Sequence, residues 1–259
     1  MIELRDVGLT IDGRMLLRGV SARIEHGDFV AVLGPNGVGK TTLLRAVTGV
    51  RPHSQGSIVL DGDAIERLNA SQRARRVAFV TSDDALTDAL LVKDVVAIAR
   101  FPHHRWWEWS KTAEDEAAVE RALVAVRMEH YSERLFSTLS SGERQRAWIA
   151  MGLAQETPVL VLDEPTSHLD VRVAHKILAL LREVARGGRA VICVLHDLNE
   201  AAAYADRLML LGCDRLLAFD RPDVVLASNA LEEAYGIEME RVRLPDGRLR
   251  VFAREGAPY

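Results

Sequence analysis

The chain has 259 residues, 48% apolar and 27% charged, and its 33 Lys and Arg against 37 Asp and Glu leave a formal charge of −4. This composition fits a soluble globular protein long enough to bury a substantial core, and the lack of basic excess argues against nucleic acid as the main partner. No stretch approaches the ~18–20 continuous apolar residues of a membrane span, and the N-terminal MIELRDVGLTIDGR lacks a charged-then-apolar signal segment. The expectation is a cytosolic chain that reaches a membrane only through a partner.

In chain order, residues 1–33 read as short extended pieces (IELRDVGLTI, RGVSARIEHGD and FVAVL) with turns at Gly13 and Gly27. FVAVL (29–33) is a continuous apolar run, as expected of a strand buried on both faces. A Gly-rich turn follows, then TTLLRAVTGV, a helix stopped at Gly49. Strand signals return at 56–62 and 75–80. From about Val92 to Leu139 the spacing is helical, in DVVAIAR and AEDEAAVERALVAVRM. Strands resume with VLVL (159–162) and AVICVL (190–195), separated by the helix VAHKILALLREVARG. Strand and helix alternating around a helical block predict a mostly parallel sheet covered by helices. The tail MERVRLPDGRLRVFA reads as a hairpin turning at Pro245-Asp246-Gly247. Cys193 and Cys213 lie in or beside apolar runs and are expected as buried, reduced thiols.

Two motifs carry chemistry. Residues 34–41, GPNGVGKT, fit the phosphate-loop spacing of two glycines, Lys and a hydroxyl residue, between a buried strand and a helix. Gly37 and Gly39 let backbone N–H groups curl around a β-phosphate. Lys40 sets a positive charge against the β- and γ-oxygens, Thr41 offers its hydroxyl to Mg²⁺, and the helix adds its positive dipole end. The expected ATP contacts are Gly34, Pro35, Asn36, Gly37, Val38, Gly39, Lys40, Thr41 and Thr42. In VLVLDEP (159–165), an apolar strand delivers Asp163 to the Mg²⁺ shell and Glu164 as the carboxylate that orients and deprotonates the attacking water.

At these residues the chain resembles the ABC ATPase family, over nearly its whole length. The resemblance implies an α/β ABC ATPase fold: a phosphate-loop core sheet with a β-rich N-terminal part, at about 1–94 and 145–240. It also implies an inserted helical subdomain at about 95–144 and a short C-terminal hairpin at about 238–254, all one nucleotide-binding domain. LSSGERQ (139–145) looks like the family's signature motif. Ser140, Ser141 and Gly142 would form an anion site facing the γ-phosphate held by a second subunit, so a homodimer completes the active site; read alone, Ser140 and Glu143 are a helix cap. Ser167-His-Leu-Asp170 is similar to the D-loop at the dimer interface, which brings in Asp170. His196, after AVICVL, corresponds to the switch histidine that contacts the γ-phosphate and joins Glu164 as catalytic.

Two positions depart from the family pattern. Ile11 stands where an aromatic residue usually stacks on adenine, and Ser82 where a Gln usually touches Mg²⁺. Ser82, or its neighbour Asp83, would enter the metal shell with Thr41 and Asp163, or the position is a hinge.

Three stretches (VVAIARFPH at 95–103, SGERQRAWIAMGLAQETPVLVLDEPTSHLD, and HDLNEAAAYADRLMLL at 196–211) resemble the subgroup that powers import of iron–siderophore complexes, haem and vitamin B12. That resemblance implies an ATPase on the cytoplasmic face of the inner membrane. It would be bound to integral membrane permease subunits fed by a periplasmic or surface substrate-binding protein, with no nucleic acid partner. Trp106, Trp107 and Trp109 read either as subdomain core or as a docking surface for the permease. The alternatives are the ATPase of another ABC importer or exporter, and a soluble ABC ATPase, whose coiled coil or second ATP module the chain lacks.

Overall fold

The computed structural model describes residues 1–81, 89–104, 112–167 and 169–254. Ser82, Asp83 and the Trp106, Trp107 and Trp109 cluster lie outside the described residues.

β1 (Ile2–Ile11) and β2 (Arg14–Ile24) form an antiparallel hairpin that turns at Asp12 and Gly13. β3 (Phe29–Leu33) is buried along its whole length. Its odd residues Phe29, Ala31 and Leu33 enter one hydrophobic cluster and its even residues Val30 and Val32 the other. This period-2 alternation is why a five-residue apolar run suits a strand with a core on each face. α1 (Lys40–Val47) covers one face, followed by β4 (Gln55–Leu60), β5 (Asp63–Ala64), α2 (Ala70–Ala74) and β6 (Val77–Val80).

The helical stretch then holds α3 (Val92–Ala97), a 3-10 turn over Ile98–His103, α4 (Ala113–Ala125) and α5 (Ser141–Ala154). α4 and α5 each start with a capping box, Thr112 with Asp115 and Ser140 with Glu143. Each cap satisfies N–H groups that a helix start would leave open. α5 packs on β6 through Gly152, where a Cβ would come within 2.4 Å of Val80 Cγ2. Any side chain there would push the helix off the sheet.

β7 (Val159–Leu162), α6 (Val171–Arg186), β8 (Ala190–Val194) and α7 (Leu198–Tyr204) continue the alternation. β9 (Arg207–Gly212), β10 (Arg215–Asp220), α8 (Pro222–Ala227), α9 (Ala230–Tyr235) and the hairpin β11 (Met239–Arg243) and β12 (Leu249–Ala253) follow. Among the described residues the main sheet has ten strands in the order β5-β4-β1-β2-β10-β9-β3-β8-β7-β6. β9, β3, β8, β7 and β6 pair parallel, whereas β4, β1 and β2 pair antiparallel.

The reading of Cys213 needs correcting. Cys193 is buried, but Cys213 is exposed, because it sits with Asp214 in the turn between β9 and β10, both at positive φ (48° and 58°). The apolar run ends at Gly212, one residue before it.

Candidate functional site

The sheet order sets β3, β8, β7 and β6 side by side and parallel. Their carboxyl ends therefore release Gly34, Leu195–His196, Asp163–Glu164 and Thr81 along one edge, the position where open α/β sheets bind ligands. The segment carrying Ser82 begins at the last of these ends.

The loop from β3 to α1 needs glycine at its first position. Gly34 has φ +143°, and a Cβ on it would stand 2.3 Å from the carbonyl oxygen of Leu211 in β9. Gly37 and Gly39 also have positive φ, 79° and 109°. Lys40 is buried and donates from Nζ to the carbonyls of Gly34 (2.8 Å) and Pro35 (3.0 Å). Burial pulls the Lys40 ammonium below its ordinary pKa, against the pull of the Glu164 and Asp163 charges. Thr41 Oγ1 donates to Asp163 Oδ1 at 3.2 Å, joining α1 to the end of β7. Burial pushes Asp163 above the usual carboxylate range, opposed by the Thr41 hydrogen bond.

Glu164 is the strained residue of the site. Its φ of +51° is a left-handed conformation for a residue with a Cβ, of the kind that costs about 1–3 kcal/mol and collects at active sites. Both carboxylate oxygens are held. His196 Nε2 lies 2.7 Å from Oε1 and Ser167 Oγ donates to Oε2 at 3.0 Å. Burial raises the Glu164 pKa, but those hydrogen bonds, with the charges of His196 and Lys40, outweigh it and hold the carboxyl below its ordinary value. An ionised carboxylate aimed from the end of β7 beside a phosphate-type loop is equipped to take a proton from water.

The signature segment stands elsewhere. Ser140 caps α5: its hydroxyl accepts from the Glu143 N–H at 3.4 Å, and its own N–H donates to Glu143 Oε2 at 2.8 Å. Gly142 faces the D-loop, with an added Cβ falling 3.6 Å from Leu169 Cδ2. Asp170 caps α6 by accepting from the Val173 N–H at 2.9 Å. Among the described residues no hydrogen bond joins 140–142 to 34–42. Ile11 ends β1, half-buried and opposite Arg14.

Sequence reading missed two contributors. Ser167 was placed only as part of a D-loop, yet it holds one oxygen of Glu164. Burial raises the pKa of Tyr235, at the end of α9, against the opposing pull of the Gly34 backbone beside it. Ser167 reaches Glu164 across a single turn, its N–H also donating to the Glu164 carbonyl at 3.2 Å, whereas Tyr235 comes to Gly34 only because distant segments meet.

A phosphate loop between a buried parallel strand and a helix, an Asp–Glu pair on the adjacent strand end and a histidine beside the glutamate define an ATP-binding cassette of the phosphate-loop class. Residues 17–167 match the family model described as ABC transporter, and the chain belongs to that family, as an ATPase subunit. It is 38% identical over 241 residues to the petrobactin import ATP-binding protein FpuC of Bacillus anthracis, covering 93% of this chain and 88% of that protein. It is 40% identical over 253 residues to the hemin import ATP-binding protein HmuV of Gloeobacter violaceus, covering 95% and 90%. A solved inward-facing structure of a metal-chelate type ABC transporter superposes with a TM-score of 0.82 at 25% identity, covering 100% of this chain and 97% of that one.

Proposed function

We propose that this chain hydrolyses ATP to drive an importer of iron chelates, siderophore-bound iron or haem, with Glu164 as the base and His196 as its partner. The observation that carries the chemistry is the Glu164 carboxylate, held ionised between His196 and Ser167 at the strand end next to Lys40 and Thr41. The cargo class rests on the names of the relatives, since no residue of an ATPase subunit touches the cargo. Gly34 to Thr42 bind the phosphates, and Lys40 exchanges the Gly34 and Pro35 carbonyls for phosphate oxygens.

Thr41 Oγ1 and Asp163 Oδ1 are hard oxygen donors 3.2 Å apart, and this pair suits Mg²⁺, which keeps most of its shell for water and phosphate. Mg²⁺ bound there would neutralise charge on the phosphates. Glu164 accepts the proton of the attacking water, and His196 fixes the carboxylate and reaches the γ-phosphate.

The site needs a second subunit in this reading. Among the described residues Ser140, Ser141 and Gly142 make no hydrogen bond to their own phosphate loop, and in this reading they complete that of a partner copy, with Asp170 at the interface. No described helix is long and apolar enough to cross a membrane. The names of the relatives as import ATP-binding proteins support a place at the cytoplasmic face of the inner membrane, on integral permease subunits supplied by a substrate-binding protein.

Glu164→Gln tests the chemistry. Turnover is expected to fall by about 10²–10⁴, the range for losing a positioned general base, while ATP still binds and an ATP-bound dimer accumulates on size exclusion. Near-native turnover overturns the assignment of Glu164. The cargo is tested by reconstituting the chain with its co-purifying permease. ATP-dependent uptake of ferric siderophore or haem is expected, and uptake confined to another solute overturns the cargo class.

A further inference from the structure

His196 stands immediately before a helix cap. Asp197 closes the start of α7, its carboxylate accepting from the N–H groups of Asn199 (2.7 Å) and Glu200 (2.8 Å). A shift of α7 therefore carries the His196 imidazole with it. At seven residues α7 is too short to hold its place unaided, and the structure shows what holds it.

At its far end Tyr204 meets His175 Nδ1 at 2.6 Å, and Arg182 donates to the Ala203 carbonyl at 3.2 Å, both on α6. At the end nearest His196 the hold comes from the C-terminal hairpin. Asn199 Nδ2 donates to the Val251 carbonyl and Asn199 Oδ1 accepts from the Val251 N–H, each at 3.0 Å. One side-chain amide thus satisfies both backbone groups of a residue in β12, as a neighbouring strand would. Arg250 adds a 2.6 Å bond to the Asn199 carbonyl.

The hairpin gives this clamp a firm base. Val251 is buried in the main core. Arg241 of β11 ties the hairpin to α8 and α9, donating to the carbonyls of Leu226 (2.8 Å) and Ser228 (2.7 Å) and to both carboxylate oxygens of Glu232 (2.7 and 2.9 Å).

We infer that the hairpin takes part in hydrolysis, with Asn199 as the positioning residue that fixes the reach of His196 to Glu164. This rests on the assignment of Glu164 and His196 proposed above. With the Asn199 side chain removed, α7 remains pinned at Tyr204, while its His196 end loses both bonds to Val251, keeps the Arg250 bond to the Asn199 carbonyl and gains room to pivot. The 2.7 Å contact to Glu164 spans two strand ends, and displacing a catalytic group by about 1 Å costs up to 10²-fold in rate.

The test is a double-mutant cycle on the purified full-length chain, with steady-state hydrolysis and ATP affinity measured separately. Asn199→Ala is expected to lower kcat by roughly five- to twentyfold and to leave ATP affinity within about twofold. In a His196→Ala background the same change is expected to alter the residual rate by less than about twofold, because a residue acting through another has nothing left to act on. An unchanged kcat in Asn199→Ala overturns the inference. So does an equal loss in both backgrounds, or a loss matched by weakened ATP binding. Near-native turnover in His196→Ala alone would instead remove the underlying assignment, which the cycle reads separately. Should Asn199→Ala not fold, Arg250→Ala enters the same cycle, with a loss of about two- to threefold confined to the His196 background expected and no such dependence overturning the inference.

Discussion

Polar chemistry is placed in opposite ways at the strand ends and in the helical stretch around Arg100. At the strand ends, Lys40, Asp163, Glu164 and His196 stand on an apolar platform. β3, β7 and β8 are buried throughout, and the polar groups begin only where the strands stop. Around Arg100 the polar groups are the interior. Arg100 and Asp115 are each 3% exposed, joined at 3.0 Å, and Arg100 also donates to Glu156 (2.8 Å) and to the Ala154 carbonyl (2.9 Å). Asp115 further accepts from the Thr112 hydroxyl and lies 2.8 Å from His104. A sheet edge can be rigid through burial alone. A short 3-10 turn between helices buries too little for that, and charged hydrogen bonds hold Ile98–His103 against α4 and the end of α5. One consequence is that apolar residues of this turn can face outward: Ile98 and Phe101 are exposed.

Breaking the Arg100 cluster gives the largest expected effect on stability. Removing one partner of a buried ion pair costs about 3–5 kcal/mol because a charge is left unpaired. Glu156 still faces Arg100 in Asp115→Ala, which places the loss near the lower end, about 3 kcal/mol. That corresponds to roughly 6–12 °C in Tm for a chain of this size. Arg121 also pairs with Glu156, at 2.8 Å, but is mostly exposed, so Arg121→Ala is expected to cost less than about 1 kcal/mol. Equal losses in the two variants, by thermal unfolding, would show that the cluster is not set apart by its burial. The pH dependence has a definite sign. Burial raises the Asp115 pKa, but the bonds from Thr112 and Arg100 and the His104 charge outweigh it and hold the carboxyl far below the usual range. The stabilisation is therefore complete above the unfolded pKa of about 4 and is lost as pH falls below it. Asp115→Ala should flatten that acid limb.

Ser140 sits where the two ways of placing polar groups meet, since it caps a helix of the insert and is also the residue proposed to face a partner's nucleotide. Ser140→Ala removes the cap, at about 1 kcal/mol. A structural cap alone would lower Tm by a few degrees and leave turnover close to native. The dimer reading expects the same Tm change with hydrolysis reduced by more than about tenfold, roughly 1.4 kcal/mol of barrier. Turnover within twofold of native would leave Ser140 as a cap only.

The same contrast decides what could be read from the sequence. Lys40, Asp163 and His196 were legible because each follows a continuous apolar run, and such a run announces both a buried strand and its end. The C-terminal hairpin was legible from its Pro-Asp-Gly turn. The β9–β10 hairpin was not, because its turn uses Cys213 and Asp214 at positive φ without the usual glycine. The Arg100–Asp115 pair was also hidden. In a helical pattern both read as ordinary surface charges, and only the packing of α4 on α5 buries them. Asn199 acts on a group in another segment, so its side chain carries no local signal, and Ser167 reaches Glu164, three residues before it, only through the turn that Glu164 makes at positive φ. The Ser82 substitution and the three-tryptophan cluster fall outside the described residues.

The smallest expected effect concerns Ile11, at the edge of the platform. It is the last residue of β1, half-buried and paired with Arg14 across the Asp12–Gly13 turn. If adenine lies against this turn, as the resemblance implies, a branched aliphatic offers it contact area but no π face. Stacking adds about 0.5–1.5 kcal/mol beyond burial, so Ile11→Tyr should tighten ATP by roughly two- to twelvefold. The strand can accept the change, because Tyr is a good strand former and the position is only half-buried. The native chain should discriminate weakly between ATP and GTP, since stacking and apolar contact read no base edge. Equilibrium binding of both nucleotides to the native and Ile11→Tyr chains checks this. A strong native preference for ATP that Tyr leaves unchanged would mean that another residue covers the base.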